Sequence, residues 1–118
     1  MKFMDYQSKA ISTAVYPSGG IQGIAYTALG LNGEAGEVAE RIKKIVRDDN
    51  AGKSREALDK AIDVRRDDIV KEMGDVLWYL AAMCHELGVT LEEVANANVE
   101  KLLSRQKRGV LKGSGDNR

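Results

Sequence analysis

The sequence predicts an all-α protein, a helical bundle of about four main helices. One of its 118 residues is proline, and long segments are rich in Ala, Leu, Glu, Lys and Arg, which are strong helix formers. Apolar residues recur at the three- and four-residue spacing that places them on one side of a helix. The chain has room for a single core, because domains commonly span ~50–200 residues.

The first two helices are separated by a segment that disfavours helix. The first helix is predicted at residues 3–15, because Pro17 disfavours a helical conformation of the residue before it and two glycines follow. The second helix is predicted at residues 21–47, ahead of the polar loop 48–52.

The next segment predicts a short helix followed by a separate long one. Ser54 is a candidate N-cap for the short helix, which begins at Arg55. The long helix is predicted at residues 66–87, and Gly88 ends it.

The last helix has a recognisable start. Thr90 and Glu93 have the spacing of a capping box, so a helix is predicted at residues 91–107. Residues 1–108 are expected to form one domain. The basic, glycine-rich tail 109–118 is expected to be irregular, either a disordered end or a lid over bound phosphates.

Charge and composition exclude several classes of protein. The 18 basic and 18 acidic residues cancel, whereas a protein that coats nucleic acid needs a basic surface, so we expect no nucleic-acid partner. No apolar run has the length of a signal peptide or a membrane span, so we expect no membrane partner. Cys84 is the only cysteine, which is typical of a reducing compartment, and we expect a cytoplasmic protein.

Two predicted helices carry apolar stripes that are bordered by acids. The stripes are Leu31, Ala35, Val38, Ile42 and Ile45 on the second helix, and Ile69, Met73, Val76, Leu80 and Leu87 on the long helix. Glu34 and Glu37 lie on one flank of the first stripe, and Glu72 and Asp75 lie on the same flank of the second. If the two helices pack antiparallel through these stripes, the four carboxylates converge.

Such a group of carboxylates predicts a metal site. Like charges side by side raise one another's pKa unless a cation lies between them. Oxygen ligands without Cys or His favour Mg²⁺, or Mn²⁺, over zinc. A ferritin-like di-iron site needs Glu-x-x-His pairs, but Ala82 stands three residues before His85, the only histidine. A single E-x-x-E is common on a solvated helix surface, so the prediction depends on the second pair.

Glycines interrupt both acid motifs. They are Gly33, Gly36 and Gly74. Each costs roughly 1 kcal/mol relative to Ala inside a helix. We therefore expect a close approach of backbone or ligand at these positions.

These segments resemble the MazG-like branch of the all-α nucleoside triphosphate pyrophosphatase superfamily. Glu34-Ala-Gly-Glu37 resembles the first E-x-x-E helix of the family, and Glu72-Met-Gly-Asp75 resembles its E-x-x-D partner. Asn98-Val-Glu-Lys101-Leu102 is similar to the N-x-x-K-L segment, and residues 6–17 are similar to the N-terminal helix. The segment 48–67 is longer than the connection that many members have between the two acid helices.

The resemblance implies hydrolysis of a nucleoside triphosphate between its α- and β-phosphates, which gives the monophosphate and pyrophosphate and requires Mg²⁺. Metal ions held by Glu34, Glu37, Glu72 and Asp75 would orient water against the α-phosphorus, and one carboxylate would accept its proton. Which carboxylate does so is left open.

Four further residues are candidates for contacts with the substrate. Arg41 and Lys44 continue the acid flank toward the end of the second helix, where they are either phosphate ligands or ordinary solvated side chains. Lys101 matches the lysine of the family motif. Asn98, one turn earlier, is a candidate for a hydrogen bond to the sugar or base.

Trp78 lies nearly opposite the apolar stripe of the long helix. We expect it in a subunit interface, with stacking on a nucleobase as the alternative. Members of the resembling family are dimers or tetramers, so a homodimer or homotetramer is expected.

The function expected first is removal of unwanted or excess nucleotides from the pool. A second hypothesis is the same chemistry on one dedicated substrate, such as phosphoribosyl-ATP or a pyrimidine deoxynucleotide. A third is a non-catalytic helical module that binds a protein partner.

Overall fold

The computed structural model describes residues 1–48 and 54–118, and it confirms the all-α prediction. The helices are α1 (Phe3–Ile11), α2 (Gly20–Asp48), α3 (Arg55–Glu86) and α4 (Leu91–Lys107). Apart from Asp48, which ends α2, the predicted loop 48–52 lies outside the described residues. No helix in the described part of the chain combines the length and the apolar character needed to cross a membrane.

Helix α1 is shorter than predicted, because it ends at Ile11 instead of residue 15. The Ser12 hydroxyl donates a hydrogen bond to the carbonyl of Lys9, and the Thr13 hydroxyl donates one to the carbonyl of Ala10, each at 2.7 Å. These hydroxyls satisfy carbonyl groups that a further helical turn would otherwise bind.

Helix α3 is one continuous helix of 32 residues, so the prediction of a separate short helix and a long helix beginning at 66 is wrong. The range Arg55–Glu86 contains no proline, and its single glycine is Gly74, so nothing in it forces a break. Ser54 caps the helix as predicted, and Gly88, with a φ of +69°, follows its last turn.

Helix α4 begins at the predicted capping box. The Thr90 hydroxyl accepts a hydrogen bond from the amide of Glu93 at 3.1 Å, and the Glu93 carboxylate accepts one from the amide of Thr90 at 2.6 Å. Gln7 of α1 bonds the backbone on both sides of Thr90, at the carbonyl of Val89 and the amide of Leu91. The start of α4 is thereby tied to α1.

The buried core lies where α1, α3 and α4 meet, and the predicted stripes are only partly buried. Its buried members are Ala10, Ala81, Cys84 and Leu91. Of the stripe residues, Ile45 is buried, but Met73 is 55% exposed and Leu87 is 52% exposed. These stripes therefore form the core of the single chain only in part.

Helix α2 approaches α3 closely at two glycines that lie outside the stripe. A Cβ atom on Gly23 would overlap the carboxylate of Glu86, and one on Gly30 would overlap the ring of Tyr79. The close approach therefore occurs at these two glycines. It does not occur at the three expected ones, where an added Cβ meets no described atom within 4 Å: Gly33, Gly36 and Gly74.

Much of the two stripes instead lines an open apolar groove of about 640 Å³ between α2 and α3. We call it the α2/α3 groove. It is lined by Ala35, Val38, Val70, Met73, Gly74, Val76, Leu77 and Leu80.

Candidate functional site

Helices α2 and α3 run antiparallel, and this direction sets which acids meet. Residues near the end of α2 contact residues in the middle of α3, as Arg41 does with Glu72. Residues near the start of α2 contact the end of α3, as Gly23 does with Glu86. Because of this register, the Glu-x-x-Glu motif of α2 faces the Glu-x-x-Asp motif of α3.

Three of the four predicted acids come together. Glu34, Glu72 and Asp75 each offer a carboxylate oxygen, and these oxygens all lie within 4.8 Å of one another. Glu34 and Glu72 are half-buried and Asp75 is exposed. Glu37 lies one turn beyond Glu34, is exposed and is outside this group.

The electrostatics of the group favour a cation. Burial raises the pKa of Glu34, and the negative charges of Asp75, Glu72 and Glu37 raise it further. The neighbouring carboxylates thus disfavour the charged form of Glu34. Three carboxylate oxygens at this spacing are donors of the kind that a hard divalent ion prefers.

Arg41 is bound to the acid cluster. Its Nε and Nη2 atoms donate hydrogen bonds to one oxygen of Glu72, at 2.9 and 2.7 Å. The hydrogen bond to Glu72, followed by the charge of that carboxylate, raises the pKa of Arg41. The side chain is 42% exposed, so the guanidinium also faces solvent beside the site.

Lys44 lies further along α2 and is paired within its own helix. Its Nζ atom is 3.4 Å from an oxygen of Glu40, one turn earlier, and Lys43 pairs with the other oxygen of Glu40. The side chain of Lys44 is 43% exposed.

Asn98 and Lys101 lie on α4, which contacts α1 and α3. Together with Val94 and Ala97 they line a shallow cavity of about 440 Å³. The Nζ atom of Lys101 is 3.6 Å from a carboxylate oxygen of Asp116 in the C-terminal tail. The structure therefore joins the basic residues of α4 to the tail.

A cluster of aromatic rings beside the acids was missed by sequence reasoning. The rings of Tyr16 and Tyr26 stack with their centroids 5.1 Å apart, and Trp78 and Tyr79 meet edge to face at 5.0 Å. These four rings and Asp75 belong to the lining of one pocket of about 290 Å³, which we call the aromatic pocket. Four of the six aromatic residues of the chain occur here, but they are scattered along the sequence and only the fold groups them.

Trp78 makes its polar contacts within the chain. Its indole N–H donates to the carbonyl of Ala10 at 3.1 Å and to the hydroxyl of Thr13 at 2.9 Å. These bonds fix the ring against the end of α1. The ring is also part of the lining of the aromatic pocket.

Glu86, also missed by sequence reasoning, fixes the segment between α1 and α2. Its two oxygens accept hydrogen bonds from the Tyr16 hydroxyl at 2.7 Å and from the Gly19 amide at 2.9 Å. Burial, and then the contact with Glu86, raises the pKa of Tyr16 to about 12. Tyr16 is thereby held in the wall of the aromatic pocket.

Comparison with known proteins identifies the family of this chain. The chain is 45% identical over 117 residues to the Gene 37 protein of Mycobacterium phage L5, and the match covers 96% of each chain. No solved structure gives a significant match. Residues 22–110, which include both acid motifs and α4, match the family model of the MazG nucleotide pyrophosphohydrolase domain. The chain therefore belongs to the MazG nucleotide pyrophosphohydrolase family.

Proposed function

We propose that this protein hydrolyses ribo- or deoxyribonucleoside triphosphates to the monophosphate and pyrophosphate, with water attacking the α-phosphate. One observation carries the proposal. Carboxylate oxygens of Glu34, Glu72 and Asp75 converge to within 4.8 Å from two facing helices, in a chain of a nucleotide pyrophosphohydrolase family.

The donor set suits Mg²⁺, with Mn²⁺ as the alternative. All three groups are hard oxygen donors, and neither Cys84 nor His85 belongs to the cluster. When bound, such an ion supplies positive charge against the phosphate oxygens and lowers the pKa of a coordinated water.

Glu37 differs in position from the three clustered acids. It is exposed and lies outside the group, yet its charge raises the pKa of Glu34. We assign Glu34, Glu72 and Asp75 as ligands. Glu37 either completes the ligand set or accepts the proton of the attacking water, since a carboxylate without a bound cation is the better base.

Arg41 is proposed as a phosphate ligand because of its position beside Glu72. A cation held by Glu72 would weaken the ion pair between Glu72 and Arg41, and the guanidinium would then be available to a phosphate oxygen. Arginine binds phosphate through two parallel hydrogen bonds, as it now binds Glu72 through two donors. Lys44 and Lys101 are proposed as further phosphate ligands, and Asn98 as a ligand of the sugar or base.

The aromatic pocket is proposed to receive the nucleobase. Its volume of about 290 Å³ suits a single flat ring system, and aromatic side chains bind bases by stacking. Because Asp75 belongs both to this pocket and to the acid cluster, a base here would place its phosphates near the carboxylates.

A homodimer or homotetramer is part of the proposal. The α2/α3 groove exposes apolar side chains of both acid-bearing helices, and an exposed patch of this kind typically marks a protein interface. The occupant we propose is a second copy of this chain, packed through the same stripes that the sequence singled out.

A cytoplasmic location without a nucleic-acid partner completes the proposal. The thiol of Cys84 is buried, and burial raises its pKa, as in a structural thiol. The net charge of zero offers no broad basic surface.

The experiment that tests the proposal measures pyrophosphate release from a panel of ribo- and deoxyribonucleoside triphosphates, in Mg²⁺ and in EDTA. We expect release only with the metal. Asp75→Asn should lower the rate about a hundredfold, because it removes a charged ligand, and Glu37→Ala should abolish turnover if Glu37 is the base.

Asp59→Asn is the matched control, since Asp59 is an exposed acid of the same helix. Release in EDTA, or an equal loss in the control, would contradict the metal site. If the folded protein released no pyrophosphate from any nucleotide of the panel, phosphoribosyl-ATP would test the dedicated-substrate hypothesis. The interaction module would remain if that substrate also failed.

A further inference from the structure

The C-terminal tail, residues 109–118, turns back onto α4 and neutralises two of its cations. One oxygen of Asp116 lies 3.1 Å from Nη2 of Arg105 and 3.6 Å from Nζ of Lys101. Nη2 of Arg105 also donates to the backbone carbonyl of Asp116 at 2.9 Å. A single carboxylate of the tail thus serves two basic residues that are one turn apart.

Arg105 is buried, but its hydrogen bonding is incomplete. Its exposed fraction is 5%, and its Nε atom has no partner among the described residues. A guanidinium is a planar fork that suits two oxygens of one phosphate. The tail binds through Nη2 and leaves Nε unused. An anion with more oxygens would therefore satisfy Arg105 better than Asp116 does.

The contact between the tail and α4 is of a kind that a ligand can displace. The side chain of Asp116 is 84% exposed, so the carboxylate end of its ion pairs faces solvent and salt weakens the attraction. The tail reverses at three glycines, each with a positive φ that glycine adopts without strain: Gly109, Gly113 and Gly115.

The cavity on α4 leads to the same cations. Asn98 and Lys101 are part of its lining, and Arg105 follows on the next turn of the same face. A polyphosphate that lies along this face reaches Asp116 at its end. The tail and such a ligand compete for Lys101 and Arg105.

We propose that the tail is a removable strap: Asp116 occupies the Lys101–Arg105 cation pair in the free protein, and the phosphate chain of a nucleotide displaces it. The inference rests on the proposed function in one respect, that Lys101 contacts the phosphates of the substrate. The strap raises the ligand concentration at which the site fills.

Inorganic tripolyphosphate in EDTA is the probe, because the acids of α2 and α3 repel an anion when no divalent ion is present. Calorimetric titration compares the wild type with Asp116→Asn. We expect the variant to bind about tenfold more tightly, since the carboxylate charge that pairs with Lys101 and Arg105 is removed. Glu100→Gln, which removes the same charge from an exposed position of α4, should bind like the wild type.

A second readout follows the tail itself. In the wild type, the amide NMR signals of Gly113 and Gly115 should shift toward unfolded values as tripolyphosphate is added. In Asp116→Asn these signals should already lie closer to unfolded values before tripolyphosphate is added. Equal affinities of wild type and Asp116→Asn, or glycine signals that stay in place at saturation, would overturn the strap.

The two proposals can fail separately. If tripolyphosphate displaces the tail but no nucleotide is hydrolysed in Mg²⁺, the strap stands and the proposed reaction is wrong. If nucleotides are hydrolysed but Asp116→Asn changes neither the affinity for tripolyphosphate nor the glycine signals, the strap alone is wrong.

Discussion

The guanidinium of Arg41 on α2 binds one oxygen of Glu72 on α3 through two donors, Nε at 2.9 Å and Nη2 at 2.7 Å. Glu72 is also one of the three acids whose oxygens lie close enough to share a cation. The guanidinium of Arg41 is thus a positive charge that already binds Glu72, a carboxylate that a divalent ion would also bind. Metal binding and this ion pair are therefore expected to compete.

Replacing Arg41 by Gln should separate these two roles. Without the guanidinium, Glu72 is free, so the apparent Kd for Mg²⁺ measured by calorimetry should fall. The KM for a nucleoside triphosphate should rise about tenfold or more, because a bidentate phosphate ligand is lost. The control is Arg47→Gln, which removes an exposed arginine that pairs with Asp48 on the same helix. An unchanged Mg²⁺ affinity would contradict the competition.

The pKa of Glu34 predicts how stability depends on pH without metal. Because the fold raises this pKa above 4.5, it favours the neutral carboxyl, and the stabilisation is lost as the pH rises through the raised value. In EDTA, the free energy of unfolding of the wild type should decline from pH 4.5 toward 7 relative to that of Glu34→Gln.

In Mg²⁺, the free energy of unfolding of the wild type should instead rise relative to that of Glu34→Gln. At a concentration of 100 times its Kd, a ligand of the folded state stabilises it by about 2.7 kcal/mol, and Glu34→Gln lacks part of the binding site. Urea unfolding at several pH values, with and without Mg²⁺, checks both statements. Parallel pH profiles for the two proteins in EDTA would contradict the repulsion among the acids.

Two glycine substitutions on α2 should have opposite effects on stability. In Gly30→Ala the new methyl group overlaps the ring of Tyr79, so the free energy of unfolding should fall by about 1–3 kcal/mol. In Gly33→Ala it meets no described atom within 4 Å, so stability should rise by up to about 1 kcal/mol.

Thermal unfolding and activity assays of Gly30→Ala and Gly33→Ala check these two expectations. A stable Gly33→Ala variant with impaired turnover would mean that a ligand or a second copy approaches Gly33 closely. Equal losses of stability in both variants would show that the two helices are not in the register described.

Glu86→Gln should loosen the segment between α1 and α2. Hydrogen bonds from Tyr16, and then from the Gly19 amide, lower the pKa of Glu86. The stabilisation is therefore present above pH 4.5 and lost as the pH falls through the lowered value. Urea midpoints should differ between wild type and variant at pH 7 and converge at acidic pH.

Tyrosine absorbance gives an independent check of this contact. The ionisation of Tyr16 near pH 12 should move toward 10 in Glu86→Gln, because the charged acceptor is lost. Asp67→Asn, an exposed acid of the same helix, should leave both the tyrosine titration and the urea midpoint unchanged.

Charge placed in the α2/α3 groove should break the proposed oligomer. Met73→Lys puts an ammonium group where we expect a second copy to pack, so sedimentation velocity should show a shift to monomer. Val64→Lys is the matched control, because Val64 is 78% exposed on the same helix and is not part of the groove lining. A monomeric wild type would contradict the proposed assembly.

Local features of the chain were predictable because they depend on neighbouring residues. The capping box at Thr90 and the N-cap at Ser54 form at the positions that their side chains indicate. The continuity of α3 was not predicted. A break was expected between a short and a long helix, although no residue there requires one. The early end of α1 was also missed, because hydroxyl groups compete with the helix there.

In the candidate site, too, some features follow from local sequence and others depend on the tertiary structure. The i, i+3 spacing placed Glu34, Glu72 and Asp75 on matching flanks, and helix geometry alone carries that information. The exclusion of Glu37 and the ion pair of Arg41 depend on the register between α2 and α3, which spacing within one helix does not contain.

The sequence by itself determined the all-α class, the helix caps and the carboxylate pairs, because these follow from propensity and periodicity within a single helix. Only the tertiary structure decided the rest. Gly30 lets α2 approach the ring of Tyr79, while Ala35, Val38 and Met73 of the apolar stripes line an open groove. The aromatic pocket and the ion pair between Asp116 and Arg105 join residues that no local sequence pattern relates. Close packing in three dimensions selects such contacts.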